Sequence, residues 1–243
     1  MASETGFTPD EMMATVAARE LADGEVVFVG IGLPNLACNL ARRTHAPNLV
    51  LIYESGAVGA TPTRLPVSIG DPALVTGSLM VCGMADVFQL FLQNGRIEVG
   101  FLCGAQVDRS GNINTTVIGP YAKPKVRLPG SGGAAEIAIH AQRILIVAKL
   151  SPRVFPERVD FLTSPGQRVA KVITDKGVLA RDPKSGELVL AALYPGVAVA
   201  DVQAGVGWPL KAASQLARLE PPTTIELQLL REVLDPKRLY LKS

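Results

Sequence analysis

The alternation of two apolar strand-like runs with one helix constrains the fold of this chain most. Residues 26–29 (VVFV) and 49–53 (LVLIY) are runs of β-branched, aliphatic and aromatic residues, typical of strands that are buried on both faces. Between them, residues 33–43 place Leu36 and Leu40 on one helical face. A strand, a helix and a second strand in about 30 residues form a β–α–β unit, so the sequence predicts a parallel sheet.

The rest of the chain extends this pattern. Thr8-Pro9-Asp10-Glu11 has the residues of a helix start, and that helix is expected to end near Leu21. Further helices are predicted over 86–92, 134–142, 198–205, 210–219 and 223–233, strands over 97–103 and 143–149, and hairpins or a meander over 169–192. The prediction is an α/β fold with an open, mainly parallel sheet flanked by helices and a mixed-sheet C-terminal part, in one domain over residues 1–243.

Charge and cysteine content exclude several classes of protein. The chain has 24 basic and 22 acidic residues among 243, a net charge of +2. This balance argues against a nucleic-acid or membrane-surface protein. The three cysteines form no CxxC pair and the two histidines have no ligand-spaced neighbours, so neither a disulfide framework nor a zinc site is expected. The N-terminus lacks a secretory signal pattern and no apolar run approaches 18 residues, so we expect a cytoplasmic protein.

The first candidate functional segment is Gly30-Ile31-Gly32, which follows a predicted strand and opens a helix. A dinucleotide-binding motif would need a third glycine where Asn35 stands, although Glu54 imitates the acidic residue that binds ribose. NAD binding is therefore a rival interpretation, and a tight turn without function is another.

Glu54 is the second candidate, because an acidic residue directly after a buried strand is costly unless it is paired or used. Its neighbours Ser55, Gly56, Ala57 and Gly59 are small, and we expect them to leave room for a close approach to the carboxylate. The alternative is a surface glutamate that merely caps the strand.

Two further segments lie in the glycine- and proline-rich stretch 104–133. Residues 108–111 predict a turn, and Asn114 is a candidate inward-pointing side chain, although a plain hairpin is the alternative. Residues 129–136 (PGSGGAAE) lead into a helix, where consecutive backbone N–H groups can stabilise an anion or oxyanion. This loop lacks the Lys-Ser/Thr pair of a P-loop, and a flexible loop without function is its alternative.

Four motifs in this order, GIGLPNLACNLA, ESGAVGA, FLCGAQVDRSGNINTT and PKVRLPGSGGAAEIA, resemble the β subunit of family I CoA-transferases. The closest likeness is to the B-type subunit of glutaconate CoA-transferase, and it extends over nearly the whole chain. Relatives that act on 3-oxoacids carry Ser-Glu-Asn-Gly around the catalytic glutamate, where this chain has Tyr53-Glu54-Ser55-Gly56.

The resemblance implies an EC 2.8.3-like enzyme that moves CoA from an acyl-CoA to a free carboxylic acid. Glu54 would be the nucleophile of a ping-pong reaction through a glutamyl-CoA thioester. Binding or oxyanion stabilisation would fall to six further residues: Gly30, Gly32, Asn114, Gly130, Gly132 and Gly133. Asn114 matches the family asparagine that hydrogen-bonds the catalytic carboxylate.

The resemblance also implies a homologous α subunit as partner, with the active site between the two chains. The CoA thioester would be a substrate, and no tightly bound cofactor or metal is expected. Two alternatives stay open: a CoA-thioester hydrolase or decarboxylase on the same fold, and a non-enzymatic regulatory or nucleotide-binding domain.

Overall fold

The computed structural model describes residues 6–241, which form two compact units. The first unit comprises residues 6–101 and 221–241, and the second comprises residues 102–220. Each unit is considered by itself below. The prediction of a single domain over residues 1–243 stays a prediction.

The helices and strands are numbered in chain order. The helices are α1 (Pro9–Arg19), α2 (Leu33–Arg43), α3 (Met84–Asp86), α4 (Ala134–His140), α5 (Val199–Gln203) and α6 (Thr224–Gln228). The strands are β1 (Val26–Phe28), β2 (Val50–Ile52), β3 (Ala57–Val58), β4 (Met80–Val81), β5 (Val99–Leu102), β6 (Gln106–Val107), β7 (Ile113–Asn114), β8 (Val117–Ile118), β9 (Val126–Arg127), β10 (Arg143–Val147), β11 (Val169–Ile173), β12 (Gly177–Arg181), β13 (Leu188–Leu193) and β14 (Ala212–Arg218). Helices α3 and α6 continue as π-helical turns, Val87–Leu92 and Leu229–Leu234, and Pro72–Val75 is a 3-10 turn.

Helix α1 begins where the capping residues predict. Thr8 Oγ1 accepts a hydrogen bond from the Glu11 N–H at 3.2 Å, and the Glu11 carboxylate accepts one from the Thr8 N–H at 2.8 Å. This reciprocal pair satisfies two N–H groups at the helix start. Arg231, from the C-terminal segment of the same unit, donates to Glu11 at 2.7 and 2.9 Å, so this segment is bound to α1.

The sheet of the first unit has the strand order β5-β1-β2-β3-β4. Strand β1 pairs in parallel with β2 and β5, whereas β3 pairs antiparallel with β2 and β4. The predicted β–α–β unit is therefore confirmed. The interior of this unit is apolar, with Met12, Val27, Leu36 and Leu51 fully buried.

The second unit has a mixed sheet in the order β14-β13-β12-β11-β10. Strands β11, β12 and β13 form the predicted antiparallel meander, and β10 lies parallel to β11. The glycine-rich stretch adds two small antiparallel sheets, β6 with β7 and β8 with β9. The predicted fold class, an α/β fold with a mixed-sheet C-terminal part, is confirmed.

The predicted helix over residues 210–219 is wrong. The segment is the strand β14, which pairs in parallel with β13. The Leu190 N–H donates to the Lys211 carbonyl at 2.8 Å, and the Leu219 N–H donates to the Leu193 carbonyl at 2.9 Å. Alanine, leucine, glutamine and arginine favour helices in isolation, but pairing with a neighbouring strand overrides this local preference.

Candidate active site

Gly30 and Glu54 lie at the same edge of the first unit's sheet. Strands β1 and β2 are parallel and in register, with Phe28 opposite Ile52. Gly30 and Glu54 each follow two residues later in the sequence, and the Val29 N–H donates to the Ile52 carbonyl at 3.0 Å. This edge is the carboxyl end of the parallel strands, where open α/β sheets bind ligands.

Glu54 occupies the second position of a tight turn between β2 and β3. The Gly56 N–H donates to the Tyr53 carbonyl at 3.0 Å, and the Tyr53 N–H donates to the Ala57 carbonyl at 3.0 Å. The Glu54 residue is half-buried. Its carboxylate makes no hydrogen bond or ion pair with any other residue in the range 6–241. The backbone is thus fixed by hydrogen bonds while the side chain is available for chemistry.

The Tyr53 side chain connects this turn to helix α2 by a hydrogen bond, a feature that the sequence alone did not reveal. The fully buried Tyr53 hydroxyl donates to Asn35 Oδ1 at 3.2 Å, and Asn39 Nδ2 donates to the same oxygen at 2.6 Å. Burial raises the pKa of Tyr53, so the phenol stays protonated and remains a donor. The i, i+4 spacing of the two asparagines on α2 was the signal available in the sequence.

Gly56 and Gly59 have neighbouring chain where a side chain would lie, and the predicted room for a close approach to the Glu54 carboxylate stays a prediction. Gly56 has a φ of +109°, and a Cβ there would lie 1.9 Å from the Cys82 carbonyl oxygen. A Cβ at Gly59, with a φ of +67°, would lie 2.7 Å from the Leu79 side chain. These glycines therefore let the chain of β4 approach β3 closely, and the space beside them is already filled.

The Gly30–Gly32 turn is more open. A Cβ at Gly30 would meet nothing within 4 Å, and Gly32 has a φ of +111° as the residue that precedes α2. Only glycine adopts this conformation without strain. The turn presents exposed backbone at the start of an 11-residue helix, which favours negative charge nearby.

The Gly130–Gly133 loop belongs to the second unit. Its first N–H is used, because the Gly130 N–H donates to the Thr115 carbonyl at 2.8 Å while Thr115 Oγ1 donates to the Gly130 carbonyl at 2.7 Å. The N–H groups of Gly132 and Gly133 have no acceptor within the described residues. A Cβ at Gly132 would meet nothing within 4 Å, so this part of the loop is open to a ligand.

Asn114 is fully buried in the second unit, and its amide is completely engaged. Nδ2 donates to Gln106 Oε1 and to the Val117 carbonyl, both at 2.7 Å. Oδ1 accepts from the N–H groups of Thr116 at 2.9 Å and Val117 at 3.2 Å. The side chain thus organises its own loop, and its predicted contact with the catalytic carboxylate stays a prediction.

The predicted site residues are therefore divided between the two units. The structure brings Gly30, Gly32 and Glu54 together in the first unit, and Asn114 is linked through its neighbour Thr115 to Gly130 in the second. The binding and oxyanion roles of these residues stay predictions.

Other reactive groups in the described part of the chain are less suited to catalysis. Burial raises the pKa of the Cys38 thiol, which disfavours the nucleophilic thiolate. Residues 6–241 contain no cluster of His, Cys, Asp and Glu side chains that could hold a metal ion. Among the same residues, no helix is long and apolar enough to cross a membrane.

Comparison with known proteins identifies the family. The sequence model of the family described as Coenzyme A transferase matches residues 10–205. The chain is 47% identical over 242 residues to the B-type subunit of 3-oxoadipate CoA-transferase from Pseudomonas knackmussii, covering 93% of each chain. It is 34% identical to the B-type subunit of glutaconate CoA-transferase from Acidaminococcus fermentans, covering 100% of this chain and 98% of the relative.

The structural comparison agrees with the sequence. The crystal structure of glutaconate coenzyme A-transferase from Acidaminococcus fermentans superimposes with a TM-score of 0.92 at 32% identity, covering 98% of this chain and 99% of that one. Family, sequence relatives and fold thus agree with the resemblance carried by the four motifs. The chain belongs to the coenzyme A transferase family, as a β subunit of the family I CoA-transferase enzymes.

Proposed function

We propose that this chain is the β subunit of an enzyme that transfers CoA from an acyl-CoA to a free carboxylic acid, with Glu54 as nucleophile. The observation that carries the proposal is the Glu54 carboxylate itself. It stands on a turn fixed by two backbone hydrogen bonds, at the carboxyl end of β2, with no partner among the described residues. An ionised carboxylate is a weak nucleophile, so positioning and removal of water must supply its reactivity.

The reaction begins when a Glu54 carboxylate oxygen attacks the thioester carbonyl carbon. The C–S bond breaks, CoA leaves as thiolate, and a mixed anhydride of Glu54 and the acyl group forms. The thiolate then attacks the Glu54 carbonyl carbon, which releases the first acid as a carboxylate and leaves a glutamyl-CoA thioester. A second carboxylate reverses these steps and takes the CoA away, which is ping-pong covalent catalysis.

Backbone donors complete the proposed site. Each tetrahedral intermediate carries an oxyanion, and one well-placed donor is worth about 2.7–4 kcal/mol. In the first unit we assign this task to the open backbone of Gly30 and Gly32. In the second unit, the unused N–H groups of Gly132 and Gly133 are proposed as donors to bound substrate. Gly130 and Asn114 hold the second loop in shape through the hydrogen bonds to Thr115, Gln106 and Val117.

A homologous α subunit is the proposed partner, and an exposed apolar sheet edge favours it. Strand β4 is the last strand of the first unit's sheet. It lies within an exposed apolar patch, the β4 edge, formed by Val75, Leu79, Met80, Val81 and Met84. Exposed apolar edges of this kind mark protein interfaces. Because the Cys82 N–H donates to the Gly56 carbonyl at 3.0 Å, the patch is continuous with the Glu54 turn.

The substrate class proposed is a dicarboxylic acid and its CoA thioester. The relatives described above are named for 3-oxoadipate and glutaconate, both dicarboxylates. A panel of mono- and dicarboxylate acceptor acids tests this substrate class, because a preference for monocarboxylates contradicts it.

CoA enters as a substrate and no cofactor is tightly bound. The three cysteines are unpaired, in keeping with a cytoplasmic location.

The decisive test of the function compares Glu54→Gln with Glu232→Gln, an exposed glutamate outside the site. Each variant is assayed in complex with its α subunit, with an acyl-CoA and an acceptor acid. We expect Glu54→Gln to lose at least ~10³-fold in kcat and Glu232→Gln to match the wild type. Retention of more than a tenth of the activity by Glu54→Gln would contradict the proposal. Equal CoA release with and without acceptor would assign the chain to hydrolysis instead.

The partner surface has its own test. Leu79→Asp places a charge in the middle of the β4 edge, whereas Ile225→Asp places one on an exposed apolar residue of α6. Sedimentation of each variant with the α subunit should show lost or weakened assembly only for Leu79→Asp. Equal assembly of both variants would remove the β4 edge from the interface.

A further inference from the structure

An apolar cavity in the first unit has no part in the proposed reaction. It has a volume of about 490 Å³ and is lined by residues of two segments, 64–67 and 234–239. Cavities of this size bind small molecules in many proteins. Because β3 runs antiparallel to β2, the chain leads away from the Glu54 turn before it reaches this cavity. The cavity and the site assigned to Glu54 share no residue.

The lining of the cavity is mostly aliphatic. Leu65 and Leu234 are buried, whereas Val67 and Leu239 are 67% and 44% exposed. Among the described residues, no aromatic side chain lines it. Exposed aliphatic side chains beside buried ones form a surface on which an aliphatic chain can be removed from water.

Hydrogen bonds hold the two walls of the cavity in place. The Tyr240 hydroxyl donates to the Pro66 carbonyl and so joins one wall to the other. The Asp235 carboxylate accepts from the N–H groups of Leu239 at 2.7 Å, Tyr240 at 2.8 Å and Leu241 at 2.9 Å. The cavity is therefore formed before a ligand binds, which lowers the entropy lost on binding.

Arg64 presents an unused pair of donors at this cavity. Its Nη1 and Nη2 donate to the two oxygens of the buried Asp71 carboxylate, both at 2.7 Å, and Nη1 also donates to the Leu65 carbonyl at 3.2 Å. The Nε–H and the second Nη2–H have no acceptor among residues 6–241. These two hydrogens lie on one edge of the guanidinium, which can bind a second carboxylate with two parallel hydrogen bonds.

The same edge of arginine binds carboxylates elsewhere in this chain. Arg19 donates from Nε and Nη2 to Glu226 at 3.0 and 2.7 Å, and Arg231 donates from Nε and Nη2 to Glu11 at 2.7 and 2.9 Å. Arg64 differs because a buried carboxylate already orients its guanidinium from the other side. Its free edge is thus fixed in direction while its side chain is still 57% exposed.

Charge around the cavity favours an anion. Lys237 lines the cavity, is exposed and forms no ion pair within the part of the chain that the structure describes. Both oxygens of Asp71 are taken, by Arg64 and by the N–H groups of Val67 and Ala73 at 2.9 Å. The cavity therefore offers donors from Arg64 and Lys237 and no carboxylate oxygen that lacks a partner.

We propose that this cavity binds an aliphatic carboxylate of medium chain length. The carboxylate lies against the Nε–Nη2 edge of Arg64 and the Lys237 ammonium group, and the alkyl chain lies on the leucine and valine side chains. The inference is independent of the role of Glu54, because it assigns a separate site to a ligand that does not react there.

Calorimetric titration of the α/β complex with hexanoate, octanoate and decanoate tests the site. We expect the affinity to rise about 3-fold for each added methylene, and 1-octanol to bind at least 10-fold more weakly than octanoate. Equal binding of octanol and octanoate, or no octanoate binding, would overturn the proposal. So would binding that the free chain shows and the α/β complex lacks, because the α subunit would then occupy the cavity.

Two exposed residues allow matched variants. Val67→Asp places a negative charge in the cavity and should weaken octanoate binding at least 10-fold, whereas Ile225→Asp, at a residue 68% exposed on α6, should not. Lys237→Gln should weaken binding about 5-fold, and Lys184→Gln, an exposed lysine of the second unit, should leave it unchanged. Equal binding by all four variants would overturn the assignment.

Photolabelling separates this site from the site of the reaction. Octanoate with a diazirine at the chain end is bound to the α/β complex, activated by light and located by mass spectrometry. We expect label on the peptides that contain residues 64–67 or 234–239, and unchanged transferase activity in Val67→Asp. Label confined to the Glu54 peptide would overturn the cavity site without affecting the proposed function.

Discussion

Glu54 in the first unit and Asn114 in the second differ in how much of each side chain the fold uses. The Glu54 carboxylate has no partner among residues 6–241 and is half-buried. The Asn114 amide is fully buried and makes four hydrogen bonds to its own unit. Both were singled out as site residues from the sequence. The comparison shows that a side chain left unpaired on a fixed turn is available for chemistry, whereas a saturated one shapes the loop around it.

The largest expected difference between Asn114 and Glu54 is the effect of their substitution on the free energy of unfolding. Asn114→Ala removes four hydrogen bonds and leaves the Val117 carbonyl and two N–H groups without this partner, while Gln106 Oε1 keeps the Asp160 N–H. We expect the free energy of unfolding to fall by about 3 kcal/mol. Glu54→Gln should change it by less than about 0.5 kcal/mol, because the carboxylate supports nothing in the fold. Urea unfolding of the full chain measures both. Similar losses of stability in the two variants would contradict the claim that the fold depends on the Asn114 side chain and not on the Glu54 side chain.

The same difference between the two units is expected for the backbone at two glycines. Gly56 and Gly130 both have a positive φ, +109° and +99°, but only at Gly56 would a Cβ meet the chain, at 1.9 Å from the Cys82 carbonyl oxygen. Alanine at either position adds backbone strain. We expect Gly56→Ala to destabilise the protein by about 2 kcal/mol more than Gly130→Ala, because β4 must move. Thermal unfolding of the pair tests this, and equal losses would mean that β4 moves at little cost.

Glu11 is an engaged carboxylate of the first unit and contrasts with Glu54. Burial opposes its ionisation, but hydrogen bonds from Arg231 and from the Thr8 N–H outweigh burial and lower the pKa of Glu11. A carboxylate with a lowered folded-state pKa stabilises the fold above its unfolded pKa, near 4.5, and this stabilisation is lost as the pH falls through the folded value.

Arg231→Leu should therefore lower the free energy of unfolding by about 1 kcal/mol or less at pH 7, and the difference from wild type should shrink below pH 4.5. Urea unfolding at several pH values measures this difference. The control is Arg96→Leu, which replaces an exposed arginine of the same unit. A difference in the free energy of unfolding that stays constant down to pH 3 would show that the stabilisation by the Glu11–Arg231 pair does not depend on the ionisation of Glu11.

The sequence predicted those parts of the site that depend on local chain direction. Gly30 and Glu54 follow parallel strands, so their place at one sheet edge follows from the β–α–β pattern alone. The link from Tyr53 to Asn35 was missed, because it joins a strand end to a helix 18 residues away. The helix predicted at 210–219 failed for a related reason, since the pairing of β14 with β13 is not encoded in local propensity.

The sequence also did not show what lies beside the glycines that follow Glu54. The small residues after Glu54 predicted room to approach its carboxylate, and at Gly56 and Gly59 the position of the missing side chain is taken by neighbouring chain. The sequence shows only that a side chain is missing at such positions. Whether a ligand or a neighbouring strand occupies the gap depends on contacts between distant residues, here between β3 and β4.

Trapping the intermediate tests most directly whether Glu54 carries CoA during the reaction. The α/β complex is incubated with acyl-CoA alone, treated with borohydride or hydroxylamine, digested and analysed by mass spectrometry. We expect a modification on the Glu54 peptide that requires acyl-CoA and decreases when an excess of acceptor acid is added first. Active enzyme with no modification at Glu54, or with the modification on another residue, would contradict it.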